Sequence, residues 1–334
     1  MANTSAAKLL RCCLDGEPWT DALLRDALNE EGGRAFFRIV VERLGDLFEP
    51  RLCDEYARLF ARAIEIAKPG MKAAGLLRRY DSIRRPRRCA SEPENVFVLS
   101  RVTLGADVAV TSVVLDAAKK RFPKAKIYLV GPRKNWELFA KDPRILHHAF
   151  AYPRHGSIPE RLSTWPDLRL PNSIVIDPDS RLSQLGLLPV CDEDAYYFFE
   201  SRSYGGSSDA TLVELTKQWV RETFELDDSR AWVAPAPGTI DADITVSFGV
   251  GDNAEKRIDD PFEEELLRAL ARQGASVLID EGAGGEETDR VRKLCARVPG
   301  VRAWNGAYAP FAYAISRAKF YAGYDSAGQH VAAA

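Results

Sequence analysis

The stretch VFVLSRVTLGADVAVTSVVLDAAKKRFPKAKIYLVG, residues 96–131, decides the fold. It opens on a short apolar run, 96–100, followed by a loop around Gly105. DVAVTSVVLDAAKKRFP, 107–123, then carries its apolar residues at helical spacing, and KIYLVG, 126–131, is a second apolar run. Strands alternating with helices argue for a parallel sheet covered on both faces. SIVID, 173–177, reads as a third strand, and DATLVELTKQWVRETF, 209–224, as a helix amid Gly, Ser and Pro. APAPG, 234–238, reads as an interdomain hinge.

A second alternation follows. ITVSF, 244–248, SVLID, 276–280, VRAWN, 301–305, and KFYAGY, 319–324, read as strands. Between the first two lies DPFEEELLRALARQG, with Pro261 early and Gly274 as its stop. Upstream, residues 1–70 read as helices only, with Phe37, Val40, Val41, Leu44 and Phe48 in one helical register. Tyr56, Leu59, Phe60, Ala63 and Ala67 form another, and three or four helices are expected. The expected architecture is α/β: two Rossmann-like, doubly wound domains, 91–238 and 239–334, preceded by a small all-helical module and basic linker, 1–90. In residues 71–90 seven basic side chains face one acidic one, which reads as a solvated connector or as contact with an anionic membrane surface through 72–88.

Composition narrows the function. The chain has 334 residues, 46% hydrophobic and 28% charged, with net charge −2, so bulk electrostatics does not point to nucleic acid. No apolar run approaches the roughly 18 residues of a membrane span, and the N-terminus meets charge too early for a secretory signal, so a cytoplasmic location is expected. Six scattered cysteines contain no CxxC pair, and four histidines show no metal-ligand spacing.

In open α/β sheets ligands sit beyond the carboxyl ends of the strands, so the informative residues follow each strand. After the first comes Asp107, a general base or a helix cap. After 244–248 comes SFGVGDNAEKR, where Gly249, Gly251 and Ala254 fit G-x-G-x-x-A and Lys256 would meet a diphosphate. After 276–280, Glu286 stands at a helix start, either beside ribose hydroxyls or as an ordinary first-turn acid. After 319–324 come Asp325 and Ser326, with His330 on the same helical face as Ser326.

Together these sites resemble glycosyltransferase family 9, the heptosyltransferase-like enzymes of GT-B fold. The late motif, D-[ST]-G-x-x-H-x-x-A-A, is similar to Asp325-Ser326-Ala327-Gly328-Gln329-His330-Val331-Ala332-Ala333-Ala334, with Ala327 at the motif glycine and Gly328 next. The early motif is similar to Thr103-Leu104-Gly105-Ala106-Asp107, with Ala106 as an extra residue. IVIDPDSRLSQLGLL, 174–188, and EKRIDDPFEEEL resemble two further family segments, although Gly251 and Asp252 replace its small hydroxyl residues before the lysine. The resemblance covers about residues 94–334.

It implies inverting, metal-independent transfer of a heptose-like sugar from an ADP-linked nucleotide donor to a glycan or glycolipid hydroxyl, in lipopolysaccharide assembly at the inner face of the membrane. Asp107 would be the base. Gly249, Gly251, Lys256, Glu286, Tyr308, Asp325, Ser326, Gly328 and His330 would hold the donor, with Tyr308 in a loop before a helix at 310–318. No cofactor beyond the nucleotide sugar is implied. Family members continue past the motif helix, so a C-terminally truncated chain with an exposed apolar edge at 319–324 is expected. Two other classes stay open: a non-catalytic sugar-nucleotide-binding scaffold, and an NAD-dependent oxidoreductase with a helix opening at Ala254 and Asp280 at the ribose.

Overall fold

The computed structural model describes residues 4–334 except 154, 155, 252, 253, 259, 273 and 283, together with the side chain of Ala254. Asp252 and His155 thus lie outside the described residues. The apolar runs form two parallel sheets. The first contains β1 (Asn95–Leu99), β2 (Lys126–Gly131), β3 (Ile145–Ala149), β4 (Ser173–Asp177) and β5 (Tyr196–Phe198), in the order β3-β2-β1-β4-β5. The second contains β6 (Ile244–Ser247), β7 (Val277–Asp280), β8 (Val301–Trp304) and β9 (Phe320–Gly323), in the order β8-β7-β6-β9. Both have the strand reversal of a doubly wound sheet. β3 and β5 escaped the sequence reading, and each pairs on one side only.

Alternation along β1 sends Phe97 and Leu99 into one core and Val96 and Val98 into another. The first core is built with the N-terminal helices: α1 (Ser5–Asp15), α2 (Asp21–Asn29), α3 (a π-turn over Phe36–Val41 continued by Glu42–Asp46), α4 (Pro50–Ala67) and α5 (Ala73–Ile83). Thr4 and Thr20 start α1 and α2 by accepting from the N–H groups of Ala7 and Leu23. Four of these helices lie within residues 4–70, in line with the three or four that periodicity gives, and α5 falls in the stretch that reads as a connector. They share a core with the sheet: Phe36, Phe60 and Tyr56 join Phe97, Leu99, Val130 and Val175 in one cluster.

The opposite face is covered by α6, which starts at Leu104–Ala106, widens into a π-turn over Asp107–Thr111 and continues over Ser112–Arg121, and by α7 (Leu212–Phe224). Thr211 and Glu214 form a capping box at the start of α7. In the second half, α8 (Phe262–Ala271) and α9 (Gly285–Arg297) pack Leu267, Val291 and Leu294 on Val246, Val277 and Ile279. α10 (Tyr308–Arg317) and α11 (Ala327–Ala333) place Phe311, Ile315 and Val331 in the same cluster as Val108 and Val110 of α6, so the halves are in apolar contact. Phe320 is exposed on the outer strand β9.

Part of the basic stretch is turned inward, while Lys72, Arg78, Arg85 and Arg88 stay exposed. Arg79 is buried, donates to the Gly186 carbonyl at 2.6 Å and lies over the Tyr196 ring. Arg84 pairs with Asp54 and Glu200, Arg87 donates to the carbonyls of Glu193 and Tyr196, and Arg88 pairs with Glu225. Those guanidiniums fasten α5 and the following segment to the sheet edge. No helix among the described residues is long and apolar enough to cross a membrane.

Beside this seam Asp179 and Arg202 form an ion pair at 2.9 Å with side-chain exposures of 0% and 1%. Removing one partner leaves an uncompensated buried charge, whereas exposed pairs contribute little. Urea unfolding should therefore show Arg202→Ala losing about 3–5 kcal/mol, and Arg88→Ala less than about 1 kcal/mol.

Candidate functional site

The carboxyl ends of the strands face a cleft of about 1290 Å³. Its walls come from three parts of the chain: Arg101, Val102 and Thr103 after β1, with Arg181 after β4; Val250, Glu255 and Lys256 after β6; and Val41, Glu42, Arg43 and Asp46 on α3. Seven arginine and lysine side chains line it against three carboxylates, in a chain of net charge −2. Such a cleft concentrates anions.

Asp107 does not line this cleft. It is fully buried, and both oxygens are taken. Oδ1 accepts from the Arg101 N–H at 2.7 Å and Thr111 Oγ1 at 2.6 Å; Oδ2 accepts from Ser100 Oγ at 2.5 Å and Asn135 Nδ2 at 2.6 Å. Burial raises its pKa above the ordinary carboxylate range, and the four hydrogen bonds oppose that rise. A general base must reach the proton it takes, and in this arrangement both Asp107 oxygens are engaged within the protein. The local reason is Ala106: the extra residue falls just before the π-turn at Asp107–Thr111, a winding that takes up additional residues per turn. Asp107 instead fixes the loop that carries Arg101.

Arg101 donates to the Pro178 carbonyl at 2.8 Å and to Ser201 Oγ at 2.6 Å, and the residue lines the cleft. Val102 beside it has φ +72°, a left-handed conformation that a β-branched residue avoids. Such strain persists only where the surroundings impose it, and it concentrates at functional loops.

On the other side Lys256 Nζ donates to Asp325 Oδ2 at 2.7 Å and to the Asp325 carbonyl at 3.2 Å. The ammonium holds the Asp325 carboxyl below its usual range. His330 sits one turn into α11, its pKa lowered by burial, with Lys256 adding and Asp325 opposing. Its ring packs on Gly105, where a Cβ would stand 2.9 Å from Cδ2. The late motif of the second half therefore touches the early motif of the first. The hydroxyls of Ser326, Tyr321 and Tyr308 are buried without a hydrogen-bond partner among the described residues.

Three further residues sit differently from the expectation. Glu286 is exposed at the start of α9, and the inward carboxylate is the next residue, Glu287. Glu287 lies over the two glycine turns: a Cβ at Gly249 would come 2.7 Å from its Oε1, and one at Gly282 would overlap the carboxylate. Tyr308 is the first residue of α10 rather than part of a loop; it packs against Phe311 and does not line the cleft. Gly328 makes room for Tyr321, whose Cζ would be 2.7 Å from a Cβ there. After Gly251, at φ +60°, only a short turn forms at Ala254–Lys256, and the helix waits until Phe262. The helix opening at Ala254 that a dinucleotide fold requires is absent there. Gly249 and Gly251 thus share a loop with Lys256, and Lys256, Asp325, Ser326 and His330 come together, Lys256 lining the cleft and the other three lying behind it. The sequence reading assigned no role to Arg43, Arg101, Lys134 or Arg181 of the cleft wall.

No family model matches the chain, and no curated protein matches it. Solved structures do. The chain is similar to E. coli heptosyltransferase WaaC with ADP-2-deoxy-2-fluoro heptose, with TM-score 0.53 and 14% identity, over 72% of this chain and 85% of that one. WaaC with ADP gives TM-score 0.53 and 15% identity, over 72% and 84%. A family 9 glycosyl transferase from Veillonella parvula gives TM-score 0.51 and 14% identity, over 73% and 79%. At such identity the likeness establishes the fold: two facing α/β halves of the GT-B-like kind.

Asp280, at the end of β7, has its pKa pushed up to about 6 by burial, with Glu287 and Glu281 adding and the Gly282 N–H opposing. A raised folded-state value means the folded chain holds this proton more tightly than the unfolded one. Its contribution is fully present below the unfolded value and is lost as pH rises through about 6. Asp280→Asn should remove that decline, so unfolding free energies at pH 4 and pH 7 should differ between wild type and variant by about 3 kcal/mol at most, in favour of the variant at pH 7.

Proposed function

We propose that this chain is a glycosyltransferase that binds a nucleotide-diphosphate sugar, ADP-linked, at the strand ends of the second half and transfers the sugar to a glycan or glycolipid hydroxyl held by the first. The observation that carries the reading is the position of Lys256. This lysine of the second half lines the same cleft as Arg101 and Thr103 of the first. It also reaches Asp325, beside His330 packed on Gly105. The solved structures of similar fold include a heptosyltransferase with ADP.

In this reading the acceptor oxygen attacks the sugar carbon from the first half, with inversion, as the bond to the diphosphate breaks. Lys256 leaves Asp325 for the diphosphate and stabilises the charge that develops on it, without a metal ion. Gly249 and Gly251 admit the donor, Asp325 and Ser326 orient the sugar, and Glu287 rather than Glu286 meets the ribose. The acceptor proton goes to His330, whose lowered pKa keeps the imidazole neutral. Asp107 positions Arg101 through the Arg101 N–H. The donor sugar is a heptose by family resemblance.

The scaffold reading is separated by activity; the oxidoreductase reading is disfavoured by the short turn at Ala254–Lys256. Calorimetric titration should show ADP binding, weakened roughly ten- to hundredfold in Lys256→Ala. Asp325→Asn should bind ADP at least as tightly as wild type, because the competing carboxylate is gone, and lose the ADP-sugar. In a transfer assay His330→Ala should abolish turnover with donor binding retained. Full binding of ADP by Lys256→Ala, or no transfer from any ADP-sugar by the wild type, overturns the proposal.

A further inference from the structure

One wall of the cleft comes from α3, which belongs to neither sheet half. α3 contributes Val41, Glu42, Arg43 and Asp46. Arg181, from the loop after β4, reaches across and lays its guanidinium on the α3 backbone at Gly45, where a Cβ would stand 2.9 Å from Cζ and overlap Nη2. Gly45 is thus a fitted seat for a cation. Arg181 is 21% exposed, and its nearest acid is Asp46 at 3.9 Å, beyond hydrogen-bond distance. No hydrogen bond from its guanidinium is formed among the described residues. A guanidinium carries five donors, and none of those of Arg181 is buried without a partner, so they stay open to a ligand in the cleft.

The neighbours do not satisfy it. Glu42 and Asp46 line the same wall, and Glu255 lines the facing one. Against them stand Arg43, exposed two residues before Gly45, and Lys134, exposed beyond β2, neither of them in an ion pair among the described residues. Phe150 and Tyr152 add apolar faces nearby. Arginine forks match phosphate and carboxylate bidentately, and these are the groups that would fill the unused donors.

We propose that Arg181, seated on Gly45, together with Arg43 binds an anionic substituent of the acceptor, a phosphate monoester or a carboxylate, so that the N-terminal helix α3 sets acceptor selectivity. This rests on the transferase reading in taking the ligand to be the acceptor. Lys256, on the opposite wall, serves the donor, so the two anion sites are separable by mutation.

Titration calorimetry with ADP, glucose 6-phosphate, glucuronate and glucose tests it. At least one anionic probe should bind ten times more tightly than glucose, and the tighter of the two identifies the group. Arg181→Ala and Gly45→Val should each weaken that probe roughly ten- to hundredfold and change ADP affinity less than about threefold. Arg43→Glu should act in the same direction with an unchanged melting temperature, since the side chain is exposed. Glucose binding as well as either anion, unaltered anion affinity in both Arg181→Ala and Arg43→Glu, or displacement of the anionic probe by ADP overturns the inference. ADP binding without any anionic-probe binding removes this inference alone. Mutation-sensitive probe binding without ADP binding leaves the anion site standing and removes the nucleotide reading.

Discussion

A parallel sheet has two apolar faces, and both must be covered before it is stable. In the first half of this chain the two covers come from different places. α6 and α7 cover the Val96–Val98 side, while the helices before β1 cover the side of Phe97 and Leu99. The N-terminal helices are therefore half of the sheet's packing. Once they are in place, α3 reaches the carboxyl ends of the strands, and its polar side becomes a wall of the cleft. Geometry demanded by burial thus delivers side chains to the site.

The same constraint governs the charges. A segment carrying seven basic residues reads as a solvated surface when only its composition is visible. Folded against β5, it must place several guanidiniums in or near a buried seam, and each finds an acceptor there. Arg79 meets the Gly186 carbonyl and Arg84 meets Glu200. Arg202 meets Asp179, where burial works to raise the carboxyl's pKa and the charges of Arg202 and Arg101 outweigh it. Arg43 and Arg181, which make no hydrogen bond to a protein acceptor among the described residues, stand in the cleft.

Local pattern revealed much of the fold. Strand–helix alternation, the delayed helix at Phe262 and the placement of site residues after strands were all legible, because each depends on sequence periodicity and punctuation. β3 was not, because ILHHA has two histidines in five residues and sits at a sheet edge. β5 is three residues long, and its aromatic run, YYF, was the one signal available. Within the site, Lys256, Asp325, Ser326 and His330 converge as their spacing implied. Asp107 and Glu286 did not behave as expected, for one shared reason. At a helix start a shift of one residue turns a side chain by about 100°. The π-turn at Asp107 and the choice between Glu286 and Glu287 are both decisions of that size, and distant donors such as Asn135 settle them.

Two glycines show how the pieces are held at working distance. Neither Gly45 nor Gly105 has a positive φ, so neither is required by a turn. Each instead lacks a Cβ where another part of the chain makes contact: Arg181 on Gly45, His330 on Gly105. The first contact joins the N-terminal helices to the loop after β4, and the second joins the two halves. Adding one methyl group at either place would force a charged or titratable side chain off its seat. Close backbone approach, rather than conformational freedom, is what those two positions select for. It links the packing of three separately built parts to the chemistry they share.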